Sequence, residues 1–242
     1  RTEEYLCHTG RSEVAELCRA NADQLKADAE VAADPHKYYD SVIELDLSAI
    51  EPHLNGPFTP DAATPVSQMK EKAAREDWPL KVEVGLIGSC TNSSYEDMCR
   101  AASVVRQALD KDIPVNGQLI INPGSEQIRH TAERDGILDV FRQAGALIMA
   151  NACGPCIGQW HRHTDDPTAK NAIVTSFNRN FRSRADGNPN TFAFIGSPEM
   201  TVALTISGRL DFDPTADCLT DAEGNEVMLD APYGDIFPPK GF

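Results

Sequence analysis

The sequence predicts an α/β fold, a three-layer α/β/α arrangement around a mostly parallel or mixed central sheet. Two observations carry that expectation. From about residue 81 the pattern of strand, loop and helix repeats, and 242 residues with 41% hydrophobic and 24% charged side chains suffice to bury a substantial core.

Residues 2–30 carry Val14, Leu17, Cys18, Ala22 and Leu25 near one face at helical intervals, which predicts a lead-in helix. SVIELDLS follows, alternating Val42, Glu44 and Asp46 with Ile43, Leu45 and Leu47. That alternation predicts a strand before the loop-like EPHLNGPFTPDAATP. KVEVGLIGS reads as a strand, SYEDMCRAASVVRQALD as a helix that Ser93 or Ser94 can cap, GQLIINPG as the next strand and SEQIRHTAERDG as the next helix. ILDVFRQAG is a further helix ending at a glycine, and ALIMANA a buried strand running into CGPC. NAIVTSFN and TFAFIGS are two more strands, and SPEMTVALTISG is a closing helix with Pro198 in its first turn. After residue 211 the chain is turn-rich, with an EGNEV hairpin and a linker-like ending, APYGDIFPPKGF.

With 37 acidic against 22 basic residues the formal charge is −15. Such a surface repels nucleic acid and anionic membranes, so an anionic small substrate needs a local cationic pocket. No stretch approaches the roughly 18 uncharged apolar residues of a membrane span, and no membrane role is expected. RTEEYLCHTGR, from Arg1, is neither an apolar secretory segment nor an acid-poor transit sequence, and the sequence is expected to be a piece of something longer. Seven scattered cysteines predict a reducing compartment, with some serving as ligands or nucleophiles.

In open α/β sheets, binding residues gather at the carboxyl ends of strands. Three loops qualify: GSCTNSS with Cys90, NACGPC with Cys153 and Cys156, and NRNFRSR with Asn178, Arg179, Asn180, Arg182 and Arg184. A Cys-Gly-Pro-Cys dithiol can be redox-active, but a thioredoxin-like unit carries that motif after its first strand, and here it follows several strand and helix repeats. Alternatively Cys153 and Cys156, with Cys90 from another strand end, offer three thiolates to an iron–sulfur cluster and leave one iron open as a Lewis acid. A structural zinc held by three cysteines and His161 or His163 is the third reading. The arginine loop suits a di- or tricarboxylate beside an open iron; the plainer alternative is a solvated loop paired to acids such as Asp186. Cys99 is expected as a small buried hydrophobe; Cys7, Cys18 and Cys218 as packing residues; and His53 and His130 on the surface. No G-x-S-x-G nucleophile elbow is present.

Taken together, VGLIGSCTNSSYEDM, NPGSEQIR, ANACGPCIGQW and TSFNRNFRSR, with HLNGPFTPD upstream and the later SPE, resemble the iron–sulfur region of the aconitase family over nearly the whole chain. The resemblance is closer to its mitochondrial-type members than to the isopropylmalate dehydratase branch. It implies that Cys90, Cys153 and Cys156 hold a [4Fe–4S] cluster, and that Asn178, Arg179 and Arg184 contact substrate; Arg182 falls on no family position. The implied reaction interconverts citrate and isocitrate through cis-aconitate by loss and return of water, in the mitochondrial matrix or a bacterial cytoplasm. The implied partition is 1–36 as the helical end of a preceding domain, 37–230 as the iron–sulfur domain and 231–242 as the start of a linker. The base and further site residues belong to other domains of the family, so no catalytic residue is expected in this sequence and the chain alone is expected to be inert. Related hydro-lyases (homoaconitase, 2-methylcitrate dehydratase), a structural metal domain and an RNA-binding regulatory domain are the alternatives. The negative charge argues against the last.

Overall fold

The computed structural model describes residues 1–164 and 166–242 and separates into two units, residues 1–50 with 239–242 and residues 51–238. The first unit contains α1 (Thr2–His8), α2 (Ser12–Ala20) and α3 (Ala29–Ala33), with short 3-10 turns elsewhere. The expected single lead-in helix is thus broken. Gly10, at φ +74°, turns the chain between α1 and α2, and Val14, Leu17 and Leu25 are exposed rather than forming a buried face. The strand expected in SVIELDLS does not form either. Residues 41–46 make no ladder, and a 3-10 turn at Leu47–Ala49 follows them, its start held by the Asp46 carboxylate accepting from Ser48 N at 2.9 Å. Alternation assigns two faces to a segment, but a strand also needs a neighbour to pair with.

In the second unit come β1 (His53–Asn55), β2 (Ala63–Pro65), α4 (Met69–Arg75), β3 (Val82–Ile87), α5 (Tyr95–Asp110), β4 (Gln118–Ile121), α6 (Glu126–Arg134), α7 (Ile137–Gln143) and β5 (Leu147–Ile148). They are followed by β6 (Asn171–Thr175), β7 (Thr191–Ile195), α8 (Pro198–Ser207), β8 (Leu219–Thr220) and β9 (Glu226–Val227). Seven strands form a mixed sheet in the order β2-β1-β7-β6-β3-β4-β5. The run from β7 to β5 is parallel, and β1 and β2 add an antiparallel edge within the segment that reads as loop in the sequence. ALIMANA yields only the two-residue edge strand β5, with Leu147 exposed, because it pairs on one side alone. The expected C-terminal hairpin is β8 and β9.

The sheet is central because β3, apart from half-buried Glu83, and β6 are buried on both faces, as parallel strands covered on each side are. Gly85 of β3 faces α8: a Cβ there would lie 1.8 Å from Thr205 Oγ1. By the two-residue period Val84 and Leu86 face the other way. There they join Ile120, Ile173, Phe177, Ala185 and Ala193 in a buried cluster, against which Met149, Cys156 and Trp160 pack. Helix α5 starts at a capping box, with Ser94 and Asp97 each satisfying the other's backbone N–H. Along α5, Gln107 exchanges hydrogen bonds with the backbone of Asp230, and Tyr233 N donates to Ser103 Oγ at 3.1 Å.

Candidate functional site

Strands β5, β4, β3 and β6 are neighbours and run parallel, so the segments leaving their carboxyl ends lie side by side. These are residues 149–156, 122–125, 88–94 and 176–184, and all six site residues expected from the sequence fall on them. Glycines let the segments approach. Gly88, at φ +146°, abuts Asn122, whose backbone oxygen would stand 2.6 Å from any Cβ added there. A Cβ on Gly158, at φ +79°, would stand 2.9 Å from the backbone oxygen of Arg184.

Hydrogen bonds then join the segments. Asn122 Nδ2 donates to Ala152 O at 2.6 Å, fixing the residue before Cys153, and Asn122 N donates to Ile87 O at 2.7 Å. With its amide oriented to suit both contacts, the Asn151 side chain accepts from Glu126 N at 3.1 Å and donates to Glu126 Oε1. Glu126 is itself held below the usual carboxylate range, chiefly by its hydrogen bond to Arg129. Arg184 Nε donates to Cys156 O at 3.0 Å, and Asn92 Nδ2 to Ser176 O at 2.6 Å. The cysteine loops and the arginine loop are therefore one connected surface.

Cys90, Cys153 and Cys156 are free cysteines, the first two exposed and the third half-buried. Cys153 and Cys156 stand at the start of and within a 3-10 turn, Gly154–Ile157, that ends at Gly158. Among the described residues no group of three His, Cys, Asp or Glu side chains converges on a single metal ion, so a mononuclear zinc site using His161 or His163 is not assembled. A cubane presents separate irons to separate thiolates, which therefore stand farther apart than the ligands of one ion. Free, accessible thiols on two adjoining loops are a donor set that fits such a cluster.

Asn178 and Arg179 are exposed, and Arg179 Nη1 donates to the neighbouring Asn178 O at 3.0 Å. Among the described residues neither Arg179 nor Arg184 has a carboxylate partner. Arg182 points elsewhere, donating to Pro189 O at 2.8 Å with its guanidinium 3.9 Å from the centre of the Phe58 ring. Asp186, the acid that a solvated loop would use, is taken instead by the buried Arg162, which also reaches Glu83 and Asn171. That ion pair anchors the chain following CGPC to the amino ends of β3 and β6. Arg162 lies outside the quoted motifs, and Asn122 and Ser176 lie within them without a chemistry of their own to mark them; what these three residues do shows only in the contacts. Of the remaining cysteines, Cys7 and Cys218 are exposed, so packing does not explain them; Cys18 and Cys99 are half-buried, and His53 and His130 are on the surface.

A model of the aconitase family (aconitate hydratase) matches residues 1–208. The chain belongs to the aconitase family. It is 51% identical to the mitochondrial aconitate hydratase of Schizosaccharomyces pombe over 242 residues, 100% of this chain and 30% of that protein. The mitochondrial aconitate hydratase of Saccharomyces cerevisiae is 52% identical over 239 residues, 99% of this chain and 30% of its own. The mitochondrial homocitrate dehydratase of the same yeast is 51% identical over 240 residues, 98% of this chain and 30% of its own. This member of the family thus spans about 30% of the length of the relatives it matches.

Proposed function

We propose that this chain is the cluster-bearing part of an aconitate hydratase, a hydro-lyase that interconverts citrate and isocitrate through cis-aconitate. The observation that carries this is the joining of three free cysteines to the loop bearing Asn178, Arg179 and Arg184. Cys90, Cys153 and Cys156 would hold a [4Fe–4S] cluster, which when bound supplies an open iron as a Lewis acid for the hydroxyl that leaves and returns. Arg179, without a carboxylate partner among the described residues, is suited to a bidentate grip on one substrate carboxylate. Arg184 spends its Nε on Cys156 O and keeps its terminal nitrogens for a second carboxylate. The Asn178 amide can donate to a substrate oxygen from the same loop. No residue of this chain is assigned as the base; we place it in the part of the longer relatives that this chain does not span, so the chain alone is inert and works with those domains.

The names of the relatives favour the mitochondrial matrix as the compartment. Equal identity to a homocitrate dehydratase supports a second reading, the same chemistry on a tricarboxylate one methylene longer. Comparison of citrate with homocitrate in the longer protein separates the two. The first test is iron, acid-labile sulfide and zinc content after oxygen-free reconstitution, beside Cys90→Ser. About four each of iron and sulfide per chain, lost in the variant, are expected. Zinc, or a redox-active dithiol indifferent to Cys90, would reject the reading.

A further inference from the structure

Two residues before Asn178, the fully buried Ser176 sits where the loop of Cys90 crosses the loop of the arginines. Its Oγ accepts from Gly88 N at 3.0 Å and lies 3.0 Å from Gly88 O and 3.1 Å from Asn92 O. A hydroxyl has one proton, so it donates to one of these oxygens at a time while accepting from the amide. Gly88 and Asn92 stand two residues before and two residues after Cys90, so one buried hydroxyl closes both ends of the five-residue loop. The closure is reciprocal: Asn92 Nδ2 donates to Ser176 O at 2.6 Å, and Ser176 N donates to Leu86 O at 2.9 Å. Cys90 is exposed, and among the described residues the hydrogen-bond contact of its sulfur is with the adjacent Thr91 Oγ1 at 3.9 Å.

We propose that Ser176, with Asn92, is a positioning latch that fixes the Cys90 thiol relative to the Asn178–Arg179 segment. This rests on the function proposed above for its purpose, but the latch itself is a property of the loops. Removing the hydroxyl leaves Gly88 N and one of two carbonyl oxygens without their buried partner, and the loop must open to reach water. The Cys153 and Cys156 loop is tied through Asn122 and Arg184 instead, so it should be unaffected.

Ser176→Ala is tested in two states of this chain. In the metal-free, reduced protein, alkylation is followed thiol by thiol by mass spectrometry, with exposed Cys218 as internal reference. Cys90 should react several-fold faster in the variant, with the rates of Cys153 and Cys156 unchanged. In reconstituted protein, cluster loss in air, followed by absorbance, should accelerate several-fold. Asn92→Ala removes the other half while leaving the hydroxyl, and should shift Cys90 in the same direction; it serves if Ser176→Ala does not fold. Equal reactivity of Cys90 in wild type and variant, or an equal rise at all three cysteines, overturns the latch. Failure of the wild type to take up iron and sulfide would reject the proposed function and still leave the alkylation result to decide the latch.

Discussion

At the scale of single residues, Cys99 shows how enclosure sets a half-buried thiol apart from the exposed Cys7, Cys90, Cys153 and Cys218. It lies on α5 beneath the chain at Gly234, where a Cβ would come within 2.6 Å of its own Cβ. Burial pushes the thiol up from 9.0 to about 11, against the opposing hydrogen bonds from Tyr95 and the backbone at Asp235. Because the thiolate is the nucleophile, Cys99 should alkylate far more slowly than exposed Cys7 and Cys218 at pH 8, gaining on them only as pH approaches about 11. The linked stability follows in sign. The folded state holds this proton more tightly than the unfolded one, so its contribution is complete below pH 9 and is lost as pH rises towards 11. Cys99→Ala should therefore flatten the fall in stability across that range. A Cys99 labelling profile that overlays that of Cys218 would contradict the enclosure.

Between elements, the contact of α8 with the sheet depends on the absence of a side chain at Gly85. The whole of α8 from Met200 to Ile206 is buried, and Thr205 Oγ1 donates to Thr201 O at 2.6 Å directly over that glycine. Gly85→Ala should thus cost about 1–3 kcal/mol through overpacking, read as a lower urea midpoint with an unchanged slope. An unchanged midpoint would mean that α8 can lift away from β3 freely. The same element explains what the sequence discloses. VEVGLI and SPEMTVALTIS are readable because they are apolar, continuous and bounded by turn or capping residues, and so are the loops that follow buried strands. Strands β1 and β2, at the antiparallel end of the sheet, are not, since HLN and ATP are three residues each, too short to show a pattern, and acquire strand geometry only from pairing. At the site, cysteines and clustered arginines announce themselves by type. Ser176, Asn122 and Arg162 do not, because a buried polar residue is recognised by its partners, and those lie far away in sequence.

On the scale of the whole molecule, the two units differ in what can hold them folded. Residues 51–238 bury Leu54, Leu86, Ile120, Phe141, Ile173, Phe194 and Phe212 almost completely. Of residues 1–50 only Ala15 is buried, while Ile43, Leu45 and Leu47 are exposed on a backbone that makes no ladder. Short helices without a packed face are marginal in water, because nucleation is costly and propensity alone contributes little. Local stability should therefore be uneven, as it is wherever buried apolar contacts are unevenly distributed. Amide hydrogen exchange on this chain should show slow exchange concentrated in β3, β4, β6, α5 and α8, with residues 1–50 exchanging within the earliest times. Limited proteolysis should cut first among residues 1–50 and leave a resistant product starting near Glu51. Strong protection across residues 41–47 would instead show that this alternating segment has found a pairing partner, a second copy of the chain being the one available in a pure sample. Repeating the exchange over a range of protein concentrations distinguishes that outcome, since protection acquired by association rises with concentration and protection from the fold does not.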